Sequence, residues 1–177
     1  MNQAIAPTRS RQLPAPSVRR RLASFFYEGV LLFGVVVPTA LVFGPLVQQR
    51  HALYLRGALM AVLFCVLGLY FTWFWVRGGQ TLAMKTWHIR VEGPDGAPLT
   101  RGRALVRYLA AWLWFLPPIG AAASMDVGTL GVGGFFAVLI AYVLAYALLA
   151  RLHPQRQFLH DLLCSTRLVD ARPSAAT

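Results

Sequence analysis

Acidic residues are scarce in this chain. Asp and Glu together number six against 17 Lys and Arg, and charged residues of both signs fill only 13% of its 177 positions. Soluble domains carry about a quarter of their residues charged. Apolar residues reach 57% and mean hydropathy is +0.55, more apolar surface than a packed core of this length absorbs in water. Cysteine is nearly absent. Cys65 and Cys164 share no C-x-x-C spacing, which excludes a disulfide framework or a zinc knuckle and leaves two free thiols. The four histidines are dispersed, and no two fall at equal depth on facing hydrophobic runs, which argues against bis-histidine haem. There is no H-E-x-x-H, no G-x-x-x-x-G-K and no nucleophile elbow. A lipid-modifying enzyme would need acids and a nucleophile gathered at one interface, and only fragments of such a set are present. We therefore expect no enzymatic activity, no cofactor and no metal.

What the chain does have is long apolar runs flanked by arginine. The first spans about Leu22 to Val47, the second about Leu53 to Val76, the third Tyr108 to Met125 and the fourth about Val127 to Leu149. A span needs about 20 apolar residues to cross ~30 Å of hydrocarbon. Pro38 and Pro45 should kink the first run. Tyr54, Trp73 and Trp75 mark the ends of the second, where aromatic residues sit at the membrane interfaces, and Arg56 lies close enough to its outer end to snorkel. Gln48 to His51 read as a short polar turn. The third run is interrupted by Pro117 and Pro118, leaving a full span, a broken helix or a re-entrant piece open. In the fourth, Gly133, Ala137, Ala141 and Ala145 recur every four residues, the pattern of close helix packing in lipid.

Basic residues decide the topology. Five lie in the N-terminal arm (Arg9, Arg11, Arg19, Arg20, Arg21), six in the middle segment (Arg77, Lys85, Arg90, Arg101, Arg103, Arg107) and four near the C-terminus (Arg151, Arg156, Arg167, Arg172); only Arg50 and Arg56 fall elsewhere. Four spans with both termini cytoplasmic place fifteen of the 17 on the inner side, as the positive-inside rule favours. Three spans would move the C-terminal four outside. The net charge of +11 is thus accounted for without a nucleic-acid partner. The motif S-V-R-R-R-L-A-S-F-F resembles a twin-arginine signal, but the run that follows is long, contains Glu28 and has no A-x-A cleavage site.

The expected fold class is all-α integral membrane, with about four transmembrane helices, short cytoplasmic amphipathic helices and a small β-hairpin or strand pair. Residues 1–18 read as a disordered basic arm, 19–169 as the transmembrane domain and 170–177 as a disordered tail. Between the second and third runs, Gly78 to Lys85 read as a short amphipathic segment, His88 to Glu92 alternate like a strand, G-P-D-G at 93–96 signals a turn, and a helix starts at Thr100 with Arg103 and Arg107 on one face. Arg167 to Val169 are expected to pair with Ile89 to Val91. Phe158, Leu159, Leu162 and Leu163 share a helical face that suits the inner membrane surface.

Glu28 is the acid that stands out. It lies about 9 Å into the first helix from Leu22 at 1.5 Å per residue, where a carboxylate is costly unless paired, protonated or wetted. Arg21 lies two turns earlier on the same face, within reach through water or a third group. Glu28 reads equally as a proton or cation site and as a polar contact fixing helix packing. His160 and Asp161 form a second candidate, since a neighbouring imidazole and carboxylate can relay protons; the plainer reading is a solvated histidine with an aspartate cap.

Three stretches together resemble the RDD family of small membrane proteins, named for one arginine and two aspartates. Arg21 and Glu28, in R-L-A-S-F-F-Y-E, match its R-x-x-x-x-x-x-D pattern. Gly79-Gln80-Thr81-Leu82-Ala83-Met84-Lys85 match its G-Q-T-L-G motif, and Leu159-His160-Asp161-Leu162-Leu163-Cys164-Ser165-Thr166 its L-H-D-x-L-x-G-T motif. Glu28 stands where the family has aspartate, and Ala83 and Ser165 where it has glycine. The resemblance covers about Arg19 to Val169. It implies a multi-helix inner-membrane protein and a transport role, without naming a substrate. The expectation is a small transporter or exchanger component for ions or small solutes, in a bacterial-type inner membrane, surrounded by lipid and assembled as a homo-oligomer or with another membrane protein. Arg21, Glu28 and Asp161 would form its ion or proton site, supported by Gln80, Thr81, Lys85 and His160. The alternative is a non-catalytic scaffold in which the same residues lock the cytoplasmic segments to the helix ends.

Overall fold

A computed structural model describes residues 13–46, 56–124, 127–152 and 157–172. The turn expected at Gln48–His51, the start of the second run and most of the basic arm fall outside them. Helix α1 covers Val18–Leu46, α2 Arg56–Gly78, α3 Leu82–Thr86, α4 Arg101–Ala111, α5 Leu116–Ser124, α6 Val127–Leu152 and α7 Leu159–Leu163; strands β1 (Ile89–Glu92) and β2 (Arg167–Asp170) are the extended elements. Four helical stretches are long and apolar enough to cross a bilayer: Val18–Pro45, Arg56–Gly78, Arg101–Ala121 and Gly131–Leu148. Their large side chains stay exposed, as with Phe33 at 69% and Leu69 at 68%. In water that would be untenable. In lipid it is the expected surface, because a bilayer solvates apolar side chains and penalises unpaired backbone and charge.

Helix α1 runs on through both Pro38 and Pro45. The third span is the one that breaks. Helix α4 passes through a single 3-10 turn, Trp112–Trp114, into α5. Pro117 and Pro118 occupy the first turn of α5, where their missing N–H groups leave carbonyls one turn back without helical donors. The Tyr142 hydroxyl donates to one of these, Leu113 O, at 2.8 Å. Of the three forms open to this segment, it is the broken helix, continuous enough to span. Helix α6 also bends, at Gly131, whose φ of 60° only glycine adopts without cost. Its stripe of Gly133, Ala137, Ala141 and Ala145 lies on the exposed side. Within this chain α6 packs instead through Tyr142, Val143, Tyr146 and Ala147.

The segments between and after the spans fold onto one end of the bundle. Helix α2 stops at Gly79, in the left-handed region at φ 67°, which caps Trp75 O through its N–H at 3.0 Å. Val91 N donates to Gly79 O at 2.7 Å, and a Cβ at Gly79 would meet Val91 O at 2.6 Å. Conformation and close approach both demand glycine here. Thr81 then caps α3, its hydroxyl accepting from Met84 N at 3.2 Å, and Thr100 caps α4 in the same way. Strands β1 and β2 pair antiparallel in the register Ile89↔Asp170, Arg90↔Val169, Val91↔Leu168 and Glu92↔Arg167. They are far apart in sequence, so this is a strand pair and not a hairpin. β2 extends to Asp170, one residue into the stretch read as tail, and Asp170 N donates to Pro14 O at 2.8 Å.

Helix α7 ends in a Schellman motif. Ser165 N donates to Leu162 O at 3.1 Å and Thr166 N to Asp161 O at 2.9 Å. The motif requires a left-handed residue at Ser165, whose φ is 49°. This is one of the two positions where the chain departs from the glycine of the pattern it resembles. At the other, Ala83 is 0% exposed, so the smallest side chain still fits where α3 meets α1. Replacing Ser165 by Gly relieves the left-handed strain and is expected to stabilise the protein by about 1 kcal/mol, read as a raised midpoint of thermal unfolding in detergent.

Candidate functional site

Arg21, Ser24 and Glu28 recur at three and four residues on one face of α1, and all three are buried. They face a cavity of about 610 Å³ between α1, α2 and the α4–α5 segment, floored by α3, α7 and the sheet. The Glu28 carboxylate accepts two hydroxyl donors. Tyr70 of α2 donates to Oε1 at 2.7 Å, and Thr81 donates to Oε2. No cation touches Glu28 among the described residues. Arg21 and Glu28 share no direct hydrogen bond or ion pair among the described residues. Arg21 turns toward the polar end, where its Nε donates to Pro16 O at 3.0 Å and its guanidinium lies 5.2 Å from the Phe158 ring centroid. Its Nη1 and Nη2 are buried without a hydrogen-bond partner among the described residues.

A second cluster fixes the chain's end. Asp161 is 0% exposed. Its Oδ1 accepts from Nη1 of Arg107, which also donates to the Thr166 hydroxyl at 2.7 Å. Its Oδ2 accepts from Phe158 N at 3.2 Å, closing the first turn of α7. Arg107, 4% exposed, also lies 5.0 Å from the Trp75 ring centroid. Burial by itself would raise the Asp161 carboxyl, but Arg107, with His160 and Arg21 adding to it, holds it below the ordinary carboxylate value.

His160 is not the solvated side chain of the plainer reading; it is 6% exposed. Trp114 Nε1 donates to its Nδ1 at 3.3 Å, and the Tyr146 hydroxyl lies 3.1 Å from the same atom. An indole N–H can only donate, so Nδ1 is unprotonated and the imidazole is neutral with its proton on Nε2. That nitrogen lies 3.4 Å from Asp161 Oδ1. The contact looks like an ion pair, yet burial lowers the His160 pKa to about 4 against the pull of Asp161. The indole donor agrees with the neutral form.

The supporting residues divide. Thr81 holds Glu28 directly. Gln80 donates to Ile89 O at 2.8 Å and ties α2 to β1. Lys85 is exposed. The sequence reading missed Tyr70, Trp114 and Tyr146, which sit in apolar runs and carry no motif, and it placed Arg107 on a helix face without its partner. A third lock joins the chain's ends: Arg20 donates to Asp170 Oδ2 at 2.6 Å, as does Arg172. Arg172 first, and Arg20 after it, hold the Asp170 carboxyl well below its usual range.

Removing the Asp161 charge leaves Arg107 buried and unpaired. Asp161→Asn is expected to cost about 3–5 kcal/mol, seen as a collapse of folded yield and a lowered unfolding midpoint. His160 sets a pH dependence of definite sign. Its folded pKa is about 4 against 6.5 when unfolded, so the unfolded chain binds the proton first. Stability present above pH 6.5 is lost as pH falls toward 4, by about 3 kcal/mol in all. Asp161, depressed in the folded state, adds its loss only below about 3.8. Unfolding midpoints measured between pH 7.5 and 4 should fall for the wild type and stay flatter for His160→Gln.

Comparison with characterised proteins and with solved structures gives no significant match. A family model described as the RDD family matches residues 15–165, an interval that holds Arg21, Glu28, the Gly79–Lys85 stretch and Asp161. With its four membrane-spanning helices, the chain is a membrane protein and belongs to the RDD family.

Proposed function

We propose that this protein is a small transporter or exchanger component for ions or small solutes, with Glu28 as its reversible proton or cation site. The observation that carries the reading is the donor set around Glu28. Two hydroxyls hold the carboxylate, and no fixed cation neutralises it among the described residues. A hydroxyl both donates and accepts. Tyr70 and Thr81 can therefore serve the ionised carboxylate as donors and turn to accept from the protonated acid. An arginine partner, as Asp161 has, would lock one charge state. Intramembrane acids beside a cavity mark ion or proton pathways by default.

The basic residues at the α3, α7 and sheet end favour an orientation with this end and both termini cytoplasmic, in a bacterial-type inner membrane. Four helices are few for a complete path, which favours a homo-oligomer or a complex with another membrane protein. The scaffold reading draws on a different observation, the locks Arg107–Asp161 and Arg20–Asp170, and it assigns those residues to stability whatever Glu28 does.

Proton-coupled cation flux in inside-out vesicles, followed with a ΔpH dye across a cation panel, tests the proposal. Glu28→Gln keeps hydrogen bonding and removes the titratable group. Normal folded yield with flux reduced at least tenfold is the expected result. A lower yield with no wild-type flux for any cation would sink the exchanger reading and leave the scaffold.

A further inference from the structure

We infer that the cavity is a lipid site, and that Arg21 and Arg107 seat the acidic headgroup of a single anionic lipid whose chain lies along the apolar wall. The inference goes beyond proton exchange at Glu28 and does not depend on it.

The first observation is a set of orphaned donors. Nη1 and Nη2 of Arg21 and Nε of Arg107 are buried without hydrogen-bond partners among the described residues, each on a side chain 4% exposed. Both side chains line the cavity. A buried charged donor left unpaired costs several kcal/mol, and buried groups of this kind almost always have a partner. Of the Arg107 nitrogens, Nη1 is the one that donates to the Asp161 carboxylate. Arg21 and Arg107 both line this one space, their unpaired nitrogens lie just beneath its surface, and a small side-chain movement would present them to the oxygens of a phosphate or carboxylate, which arginine binds in a forked geometry.

The second observation is the shape of the rest. Above the arginines the wall is apolar, formed by Leu32, Leu67, Phe71, Phe115 and Ile119. Its volume falls within the range of small-molecule sites. Phe26 and Ile119 line the cavity while being 67% and 46% exposed on the lipid-facing sides of α1 and α5. The cavity therefore opens sideways to hydrocarbon. A free anion gains nothing from the apolar wall and has no reason to approach through it. A lipid slides in from the leaflet, chain against the wall and headgroup to the arginines.

Tryptophan quenching reads the occupant directly, because Trp75, Trp112 and Trp114 line the cavity. The full-length protein is reconstituted in phosphatidylcholine vesicles doped with phosphatidic acid or phosphatidylcholine, each carrying brominated chains. The expected result is a saturable excess of quenching by brominated phosphatidic acid at low mole fraction. Arg21→Gln should weaken it about tenfold or more. Gly29→Leu tests the wall without touching the arginines. Gly29 lines the cavity with open space where a Cβ would stand, and the larger side chain fills the chain's place on an undisturbed helix, so the excess should fall at least as far. Equal quenching by both lipids in the wild type overturns the inference. So does an excess that survives in Gly29→Leu, or in a folded Arg21→Gln. Loss of the excess on adding millimolar inorganic phosphate overturns it too, since the occupant would then be a free anion.

Discussion

The pairing of Arg107 with Asp161 is the interaction on which the polar end of this protein depends. Two opposite charges, contributed by the third span and by the segment after the fourth, meet where neither reaches water. Two further bonds support the pair. Thr166 takes a second bond from the same guanidinium nitrogen, and the Phe158 N–H occupies the other carboxylate oxygen. Around this pair α7 forms its single turn, β2 finds β1, and His160 is pressed into a neutral state against Trp114 and Tyr146. A five-residue helix has no stability of its own. It exists here because its aspartate is already committed.

The same end of the bundle contains charges that are not committed in this way. Asp161 and Asp170 are each bonded to arginine, which fixes their charge. Among the described residues Glu28 is held by two hydroxyls and no cation, and two Arg21 nitrogens have no hydrogen-bond partner. The arginine and first acid of the family pattern thus face the cavity in an open condition. The second acid is closed off behind Arg107. One pattern of three charged residues serves two physical tasks.

Backbone geometry adds a third layer. Gly79 turns the chain out of the second span and lets β1 approach within bonding distance. Ser165 performs the equivalent turn after α7 in a conformation that suits glycine better. Both positions fall in the family motifs, and neither touches the cavity. In this chain these two turns route short polar segments across the mouth of a helical bundle.

The spans, their number and the presence of a strand pair were legible in the sequence because they follow from local quantities. Twenty apolar residues cross a bilayer whatever their neighbours, and the run from His88 to Glu92 alternates whether or not its partner is known. Glu28 was legible for the same reason, since a charge in an apolar run is conspicuous. The partners were not. Tyr70 is one aromatic among many in its helix, and nothing local says that its hydroxyl meets Glu28 instead of an interface. The spacing of Arg21 and Glu28 put them on one face, as observed, but a shared face does not fix where a long side chain points. Arg21 turned to Pro16 and Phe158, and Arg107, 54 residues before Asp161 in the chain, is the arginine that bonds to it. The burial of His160 was equally out of reach, because its surroundings come from the third and fourth spans. Hydropathy, length and the placement of basic residues determined that this chain crosses a membrane and how often. Which of its charges are locked and which are left open was decided only when the helices packed, because pairing in a space without water depends on distances that sequence spacing does not contain.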